Sequence, residues 1–379
     1  MNALRSGSSS QPWHFSSKTR RRFLQVSGAA LAGIALSSCR RGITDVQAGT
    51  NGGGTPSDTL YVYSWAGYSD DELLSNFAEA TGIKVIVDIF DSNETMLAKL
   101  QAGGGNNYSI IYPSDYMVQQ MVELDMLVEL DQSRLQGLDV LLDKFKNPVY
   151  DPNNAHSVPA SWGTTGLVYN TEQVNPPPTD WNYLWDNRDQ LSRRITLFND
   201  VREVMGATLR SLGYSYNSTN PQEIEAAYNK LLELKPAITN FTTDGWRDQL
   251  LTGDLVVAMG YSVDAITTME EDPRLNYVIP ASGSSIWTDT MAIPKTAPNP
   301  DAAYAWINFM LEPSNAARTV ERLKFATASK AAIDLLPAEL KADKNLFPDE
   351  AILSKCEGIA PVGDATDLYD RYWTQLTSI

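Results

Sequence analysis

The chain has 379 residues, which is enough length for two domains of ordinary size, each with its own hydrophobic core. Its formal net charge is −16, and residues 1–38 carry five basic residues and no acidic one, so the rest holds 25 basic against 46 acidic residues. That net charge of −21 repels nucleic acid and anionic lipid and attracts small cations, so we expect no nucleic-acid partner.

Residues 1–38 are interpreted as an export signal rather than as part of the fold. The sequence Thr19–Gln25 matches the twin-arginine pattern, and the apolar run Val26–Leu36 is too short to span a bilayer. The run leads into a Leu-Ser-Ser-Cys sequence typical of a bacterial lipobox, in which Cys39 becomes the lipidated N-terminus. We therefore expect a periplasmic protein that is anchored to a membrane through Cys39, with residues 39–58 as a flexible tether.

The cysteines and histidines argue against a metal site or a disulfide. Cys39 and Cys356 are the only cysteines, and a lipidated Cys39 cannot pair with Cys356. His156 is the only histidine after the signal, so a zinc site with several Cys and His ligands cannot be assembled. We expect no metal and no cofactor, and we interpret His156, in a turn-like Asn-Ala-His-Ser-Val sequence, as a surface residue rather than a catalytic one.

From residue 59 the apolar pattern alternates between short strands and amphipathic helices. Close alternation of this kind predicts a parallel sheet with helices on both faces. The loops that follow the strands then share one edge of the sheet, and two of them, 65–68 and 114–116, carry aromatic residues. In chain order the first half is predicted to contain strand 60–63, a helix that begins with the capping box Ser69–Glu72 and stops at Gly82, strand 83–90, helix 92–100, strand 109–112 and a helix after Tyr116.

The alternation resumes after residues 157–170, a segment whose small residues suit a passage between two domains. The fold class is therefore α/β, with a mixed, mostly parallel sheet flanked by helices in each half. The elements predicted in the second half are strand 195–198, helices 201–211 and 222–234, strand 255–259, extended segments 276–281 and 285–293, and helices 300–311 and 314–323.

Two acidic residues follow the predicted strand 195–198. Asp200 opens the next helix, and Glu203 comes three residues later. At the carboxyl edge of an open α/β sheet both carboxylates can address a cationic ligand. The same spacing is also a helix-capping arrangement, in which the acids bind free helix N–H groups, and the two interpretations stay open at this point.

Aromatic residues recur beside an acidic or hydroxyl residue at several predicted strand ends and loops. An ammonium group in a cleft needs a carboxylate for its charge and gains from an aromatic face. For any one pair, core packing or a loop hydrogen bond is the simpler explanation, and it is the recurrence in both halves that favours a binding site. The pairs are Trp65 with Tyr68, Ser114 with Tyr116, Tyr261 with Asp264, and Trp287 with Asp289, next to the acidic pair of Asp200 and Glu203.

The chain lacks the sequence motifs of two common enzyme classes. The chain has no Gly-x-Ser-x-Gly elbow, and the glycines at 103–105 are not followed by the Lys and Ser or Thr of a phosphate-binding loop. A glycoside hydrolase needs only two carboxylates, for which Glu203 and Asp289 are candidates. A secreted hydrolase of this type remains the enzymatic alternative.

From residue 59 to the C-terminus the chain resembles the bacterial spermidine/putrescine-binding periplasmic proteins, the solute receptors of polyamine ABC transporters. The order of the matching stretches makes the resemblance specific. They are Leu60–Tyr68, Thr81–Val85, Ser92–Met96, Pro113–Tyr116, Asp200–Val204, Ile224–Tyr228, Trp287–Asp289, Ala292–Pro294 and Trp306–Phe309.

The resemblance implies a clamp of two α/β lobes joined by crossing segments, which closes on its ligand and presents it to membrane permease subunits. It implies lobe 1 over residues 59–163 and about 290–327, and lobe 2 over residues 164–289 and about 328–379. It further implies a monomer that is a receptor and not an enzyme, for a polyamine or another small cationic solute. The implied ligand-binding residues are Asp200, Glu203 and Asp289 for the amines, Trp287 and Tyr116 beside the methylene chain, Trp65, Tyr68 and Ser114 on one lobe, and Thr243 and Tyr261 on the other.

Four positions depart from the family pattern. Ala66 and Gly67 stand where the family commonly has a hydroxyl and a carboxylate residue, and Phe325 replaces a tyrosine. The family's glutamine near the C-terminus falls at Ile359. The preference between diamine and triamine therefore does not follow from the resemblance.

Overall fold

The computed structural model describes residues 58–90 and 92–378. The predicted export signal, Cys39 and the predicted tether up to residue 57 lie outside the described residues. In the part of the chain that is described, no helix combines the length and the apolar character needed to cross a membrane.

Eleven strands among the described residues form one continuous mixed sheet, whose main path runs β2-β1-β3-β9-β4-β7-β5-β6. Strands β1, β2 and β3 pair in parallel, and so do β5, β6 and β7, as the alternation of strands and helices predicts. Antiparallel pairs occur where β4 and β9 join these two groups. The strands are β1 Thr59–Trp65, β2 Lys84–Phe90, β3 Ile110–Ile111, β4 Ser157–Asn170, β5 Ile195–Leu197, β6 Ile238–Phe241, β7 Val257–Tyr261, β8 Leu275–Val278, β9 Ser285–Ala292, β10 Ala326–Thr327 and β11 Glu357–Gly358.

Fourteen α-helices of the described residues cover the faces of the sheet. They are α1 Asp71–Thr81, α2 Asn93–Gln101, α3 Asp115–Glu123, α4 Tyr183–Asp186, α5 Val201–Ser211, α6 Pro221–Leu234, α7 Trp246–Thr252, α8 Ser262–Glu271, α9 Pro300–Leu311, α10 Pro313–Leu323, α11 Lys330–Leu335, α12 Ala338–Ala342, α13 Glu350–Leu353 and α14 Thr366–Thr377.

Strand β4 connects the two groups of parallel strands. Its first part, Ser157–Thr164, pairs with β9, and its second part, Thr165–Asn170, pairs with β7 and β8. Gly163 lies at the change of partner, where a Cβ atom would stand 2.2 Å from Cζ2 of Trp287. The small residues of this segment therefore allow β4 to cross between the groups while aromatic side chains pack directly on its backbone.

The buried apolar side chains form two separate clusters. One contains Phe77 and Trp306, and the other contains Phe198, Trp246 and Tyr369, each of which is at most 1% exposed. Two cores on either side of one crossing strand give the fold two lobes. We call the group with Phe77 lobe 1 and the group with Phe198 lobe 2.

The lobe boundaries remain a proposal, with one change suggested by packing. Ala332, Leu336 and Leu346 are buried in the core of lobe 1, beyond the proposed boundary at residue 328. Helix α10 packs on α11, which lies in this stretch. We therefore propose that lobe 1 continues to at least residue 346, because the apolar side chains of a short amphipathic stretch follow the core that buries them.

Most predicted elements differ from the structure by a few residues at their ends, and two of these differences have a clear cause. The N-cap of α1 is Asp70 and not Ser69, because the Asp70 side chain accepts from Leu73 N at 2.9 Å. Strand β7 runs over Val257–Tyr261 rather than 255–259, and helix α8 follows it directly. Leu255 is buried but belongs to the turn after α7, since its N–H binds Gln249 O, so its apolar character alone placed the strand too early.

The α1 cap yields a testable prediction. The Asp70→Ala variant loses both the cap and the ion pair with Arg322, and we expect it to cost about 1 kcal/mol in the free energy of unfolding. The Asp70→Asn variant keeps the cap and loses only the charge, and Ser69→Ala changes neither. Urea unfolding monitored by circular dichroism should therefore rank Ser69→Ala as most stable and Asp70→Ala as least; an equal loss in Ser69→Ala would contradict the assignment of the cap.

Candidate functional site

Asp289 on β9 is the meeting point of a hydrogen-bond network between lobe 1 and the crossing strands. Its Oδ1 accepts from Ser114 Oγ at 2.6 Å, and its Oδ2 accepts from the hydroxyl of Tyr68, which also lies 2.9 Å from Ser161 Oγ. Asp289 is buried, and its backbone forms a bridge with that of Ser114. Burial raises the pKa of Asp289 to about 6, although the hydrogen bonds from Ser114 and Tyr68 lower it.

Asn93, at the start of α2, extends this network toward the rim of the cleft. Its Nδ2 donates to Ser114 Oγ and to the Tyr116 hydroxyl, at 3.0 Å each, and its Oδ1 accepts from Ser114 N at 3.1 Å. Asn93 is 4% exposed, so these bonds satisfy a buried amide. Asn93 lies in the stretch Ser92–Met96, but no spacing pattern marks it as a site residue, because its partners are 21 and 23 positions away.

Glu203 is the second buried carboxyl group, and it receives three protein hydroxyls. Thr165 Oγ1 donates at 3.1 Å, Ser285 Oγ at 2.9 Å and the Tyr216 hydroxyl at 2.8 Å. Burial and the nearby charge of Asp200 raise the pKa of Glu203 to about 7, which the three hydroxyls only partly offset.

The capping interpretation holds for Asp200 but not for Glu203. Asp200 Oδ1 accepts from the N–H groups of Arg202 at 2.8 Å and of Glu203 at 3.0 Å, as an N-cap does. The Glu203 carboxyl group instead binds hydroxyls from β4, β9 and the loop after α5. Burial raises the pKa of Asp200, although these two N–H groups lower it.

A third fully buried carboxyl group, Asp115, was not among the predicted site residues. It lies between Ser114 and Tyr116 in sequence and is 5% exposed. Burial raises its pKa well above the usual range, opposed by the N–H of Tyr116. The negative charge of Asp289 raises it further, whereas the N–H of Thr288 lowers it. The sequence could have indicated Asp115, because it is an acidic residue between the two predicted site residues Ser114 and Tyr116.

Aromatic side chains line the same region. Trp287 packs on the backbone of Gly163, and the ring of Tyr261 meets Trp287 edge-on at 5.9 Å between centroids. Trp65 packs on Phe90 at 4.5 Å. Trp287 Nε1 is buried and has no hydrogen-bond partner among the described residues, so this indole can still donate to a ligand or a water molecule.

Two of the acidic and hydroxyl candidates stand apart from the others. Thr243 lies half-buried in the loop between β6 and α7, and its side chain forms no hydrogen bond with another described residue. Asp264 forms an ion pair of 2.6 Å with Arg247, which compensates its charge within the protein. The structure thus joins Tyr68, Ser114 and Asp289 directly, whereas Thr243 stays a prediction.

The carboxyl groups of the site form no ion pair with a described basic residue, although the charge of Arg202 lowers the pKa of the half-buried Asp200. None of Asp115, Asp200, Glu203 and Asp289 takes part in an ion pair within the described ranges. Arg202 is the nearby candidate, but its guanidinium donates to Ala360 O and to Asn217 Oδ1 at 2.9 Å each. Carboxyl groups that accept hydrogen bonds only from hydroxyls and N–H groups keep their negative charge unbalanced, and a cationic ligand would balance it.

The four positions that depart from the family pattern have different surroundings in the structure. Gly67 has a φ of +79°, a backbone conformation that side-chain-bearing residues rarely adopt, and Ala66 and Gly67 are both exposed. Phe325 packs on Tyr68 at 4.2 Å between ring centroids. Ile359 packs at the edge of the lobe 2 core.

Comparison with known proteins assigns this chain to a family. The model of the bacterial extracellular solute-binding proteins matches residues 72–348. The chain belongs to this family. A spermidine/putrescine-binding periplasmic protein of Salmonella typhimurium is 37% identical over 321 residues, which cover 84% of this chain and 92% of that protein.

Solved structures show the same fold. The spermidine/putrescine ABC transporter substrate-binding protein of Streptococcus pneumoniae is 39% identical, with a TM-score of 0.78, and the match covers 85% of this chain and 99% of that one. The Tp0655 lipoprotein of Treponema pallidum is 29% identical, with a TM-score of 0.77, covering 85% of this chain and all of that one. The expected α/β clamp with two lobes is therefore confirmed.

The raised pKa values predict how the stability of the ligand-free protein depends on pH. A carboxyl group with a raised pKa binds more protons in the folded than in the unfolded state, so its contribution to stability falls as pH rises from about 4 to about 7. For Glu203 we expect a loss on the order of 3 kcal/mol.

Urea unfolding of ligand-free protein at several pH values between 4.5 and 7.5 measures this contribution as a difference between variants. We expect the Glu203→Gln variant to gain stability relative to the native protein as pH rises across this interval. A difference between the two proteins that does not change with pH would contradict the raised pKa of Glu203.

Proposed function

We propose that this protein captures a polyamine, spermidine or putrescine, between its lobes and delivers it to the permease subunits of an ABC importer. The observation that carries the proposal is the set of uncompensated buried carboxyl groups beside aromatic side chains. The names of the Salmonella typhimurium and Streptococcus pneumoniae relatives support it. A flexible chain with several ammonium groups supplies the charges that this cleft lacks, and its methylenes can pack on the aromatic rings.

The proposed contacts divide between charge and packing. Asp200, Glu203 and Asp289 pair with the amines, because an ammonium group inside a protein needs a counter-charge. Trp287 and Tyr116 lie beside the methylene chain. The remaining proposed lining residues are Trp65, Tyr68 and Ser114 from lobe 1, and Thr243 and Tyr261 from lobe 2.

Closure follows from the distribution of these residues. Tyr68 and Ser114 belong to lobe 1, Glu203 belongs to lobe 2, and Asp289 lies on the strand that pairs with β4. A ligand that binds both lobes lowers the free energy of the closed state relative to the open one. We propose that the permease recognises this closed state, and that a monomer anchored through Cys39 in the periplasm performs the task. The Treponema pallidum relative is itself a lipoprotein.

In this proposal the protein makes and breaks no covalent bond. The relatives are named as binding proteins, and the Streptococcus pneumoniae one as the substrate-binding protein of an ABC transporter.

Removing a carboxylate tests the proposed contacts. We expect Glu203→Gln and Asp289→Asn each to weaken spermidine binding by about 2–4 kcal/mol, because a buried ammonium group loses its counter-charge. Asp264→Asn is the matched control, since the charge of Asp264 is already paired with Arg247. Isothermal titration calorimetry measures all three; unchanged affinity in both site variants would refute the contacts, and turnover of an oligosaccharide without polyamine binding would favour the hydrolase.

Proton release on binding provides an independent test. At pH 6.5 Glu203 and Asp289 hold part of their protons, since their pKa values are raised to about 7 and about 6. A bound ammonium group lowers both pKa values, so binding releases protons. Calorimetry in two buffers of different ionisation enthalpy should show this release at pH 6.5 and less of it in Glu203→Gln; proton uptake would contradict the mechanism.

A further inference from the structure

Glu94 is a carboxylate at the cleft rim to which neither the sequence patterns nor the contacts above assign a role. It is the second residue of α2, whose N-cap Ser92 accepts from Thr95 N at 3.1 Å. Although Glu94 is exposed, its Oε1 accepts from the hydroxyl of Tyr116 at 3.0 Å. This bond directs the carboxylate toward Tyr116 on the cleft side of lobe 1.

The charge of Asp200, which lies at the start of α5 in lobe 2, acts on the same phenol. The charges of Glu94 and Asp200 both act on Tyr116 and raise its pKa, after burial as the main cause. Burial also raises the pKa of Asp200, and the negative charge of Glu94 raises it further. Two carboxylates, one from each lobe, therefore act on each other and on one phenol, to which Glu94 is hydrogen-bonded directly.

Among the described residues, Arg202 lowers the pKa of Asp200 through its charge but forms no ion pair with either carboxylate. Within the described ranges neither Glu94 nor Asp200 takes part in an ion pair, and the guanidinium of Arg202 is engaged by Ala360 O and Asn217 Oδ1. The neighbouring loop adds nothing, because Ala66 and Gly67 carry no charge. Closure of the lobes without a ligand thus brings two like charges together, which is unfavourable.

We propose that Glu94 is a further ligand-binding residue, which holds one terminal ammonium group of the polyamine together with Asp200 and the oxygen of Tyr116. The inference rests on the proposed function and adds the rim position to the buried site of Asp289 and Glu203. It makes Glu94 a residue that selects for a charged group at the end of the ligand.

The hydrogen-bond capacity of the three groups fits a primary ammonium. Glu94 Oε1 is occupied by Tyr116, and Asp200 Oδ1 by two backbone N–H groups, which leaves Glu94 Oε2 and Asp200 Oδ2 as acceptors. The Tyr116 oxygen accepts from Asn93 and retains a second lone pair. Three acceptors therefore match the three N–H donors of one terminal ammonium group, and the ring of Tyr116 lies beside it.

The proposed contacts lie at two levels of burial, and this difference orients the ligand. Asp289 and Glu203 are 7% and 2% exposed, whereas Glu94 is exposed. An extended ligand therefore places one ammonium among the buried carboxyls and its end at the rim. A ligand that carries an acetyl group on that end loses the rim contacts but keeps the buried ones.

The test compares Glu94→Gln with the matched control Glu79→Gln, an exposed glutamate on α1 of the same lobe. We expect Glu94→Gln to weaken spermidine binding about tenfold, because a charge-assisted contact is lost, and Glu79→Gln to leave it unchanged. Glu94→Asp keeps the charge on a shorter side chain and should fall between the two. The melting temperature without ligand should not fall in Glu94→Gln, since a repulsion is removed.

Monoacetylated spermidines and a double variant sharpen the result. The native protein should prefer spermidine over the derivative acetylated at the rim end, and Glu94→Gln should lose most of that preference. Combined with Asp200→Asn, Glu94→Gln should cost less than the sum of the two single changes, because both hold the same ammonium.

The outcomes separate this inference from the proposed function. Native protein that binds spermidine, with Glu94→Gln within about twofold of it, would overturn the role of Glu94 alone. Equal losses in Glu79→Gln would also overturn it, because the effect would then be one of overall charge. Native protein that binds no polyamine would overturn both proposals.

Discussion

The free energy of carboxyl groups buried without a counter-charge governs the behaviour of this protein. Asp289 and Glu203 are almost fully buried, and hydroxyl donors leave their pKa values at about 6 and about 7, above the ordinary range. The protein therefore holds in its cleft a set of groups that are most stable when a cation is present. If a ligand cation bridges the two lobes as proposed, filling this deficit couples closure to capture.

The sheet topology makes this arrangement possible. Strand β4 pairs with β9 before the crossing and with β7 and β8 after it, so side chains of both lobes converge on one short stretch of backbone. Thr165 on β4 and Ser285 on β9 thus reach Glu203 of lobe 2, while Asp289 on β9 reaches Ser114 of lobe 1. Each carboxyl group is positioned by an element that the other lobe also uses, so the site lies on the strands that connect the two lobes.

Local signals in the sequence predicted most of the elements and named candidate site residues, but not the hydrogen-bond network between those residues. The stop at Gly82 followed from residue type and position, whereas Ser69 and Asp70 are both capping residues and only the geometry distinguished them. The two-residue strands β10 and β11 are too short to show a period. The partners of Glu203 lie 13, 38 and 82 positions away, so no local pattern could have named them.

The choice of hydroxyls rather than basic residues around the carboxyls has a physical consequence for transport. An Arg or Lys beside Glu203 would keep it ionised in the empty protein and would compete with the ligand for the same charge. The hydroxyls of Thr165, Ser285 and Tyr216 can donate to the carboxylate and reorient when it is protonated, since a hydroxyl is both donor and acceptor. Protonation then lowers the free energy of the empty site, and a bound cation lowers that of the filled site. No basic side chain has to move when the ligand binds or leaves.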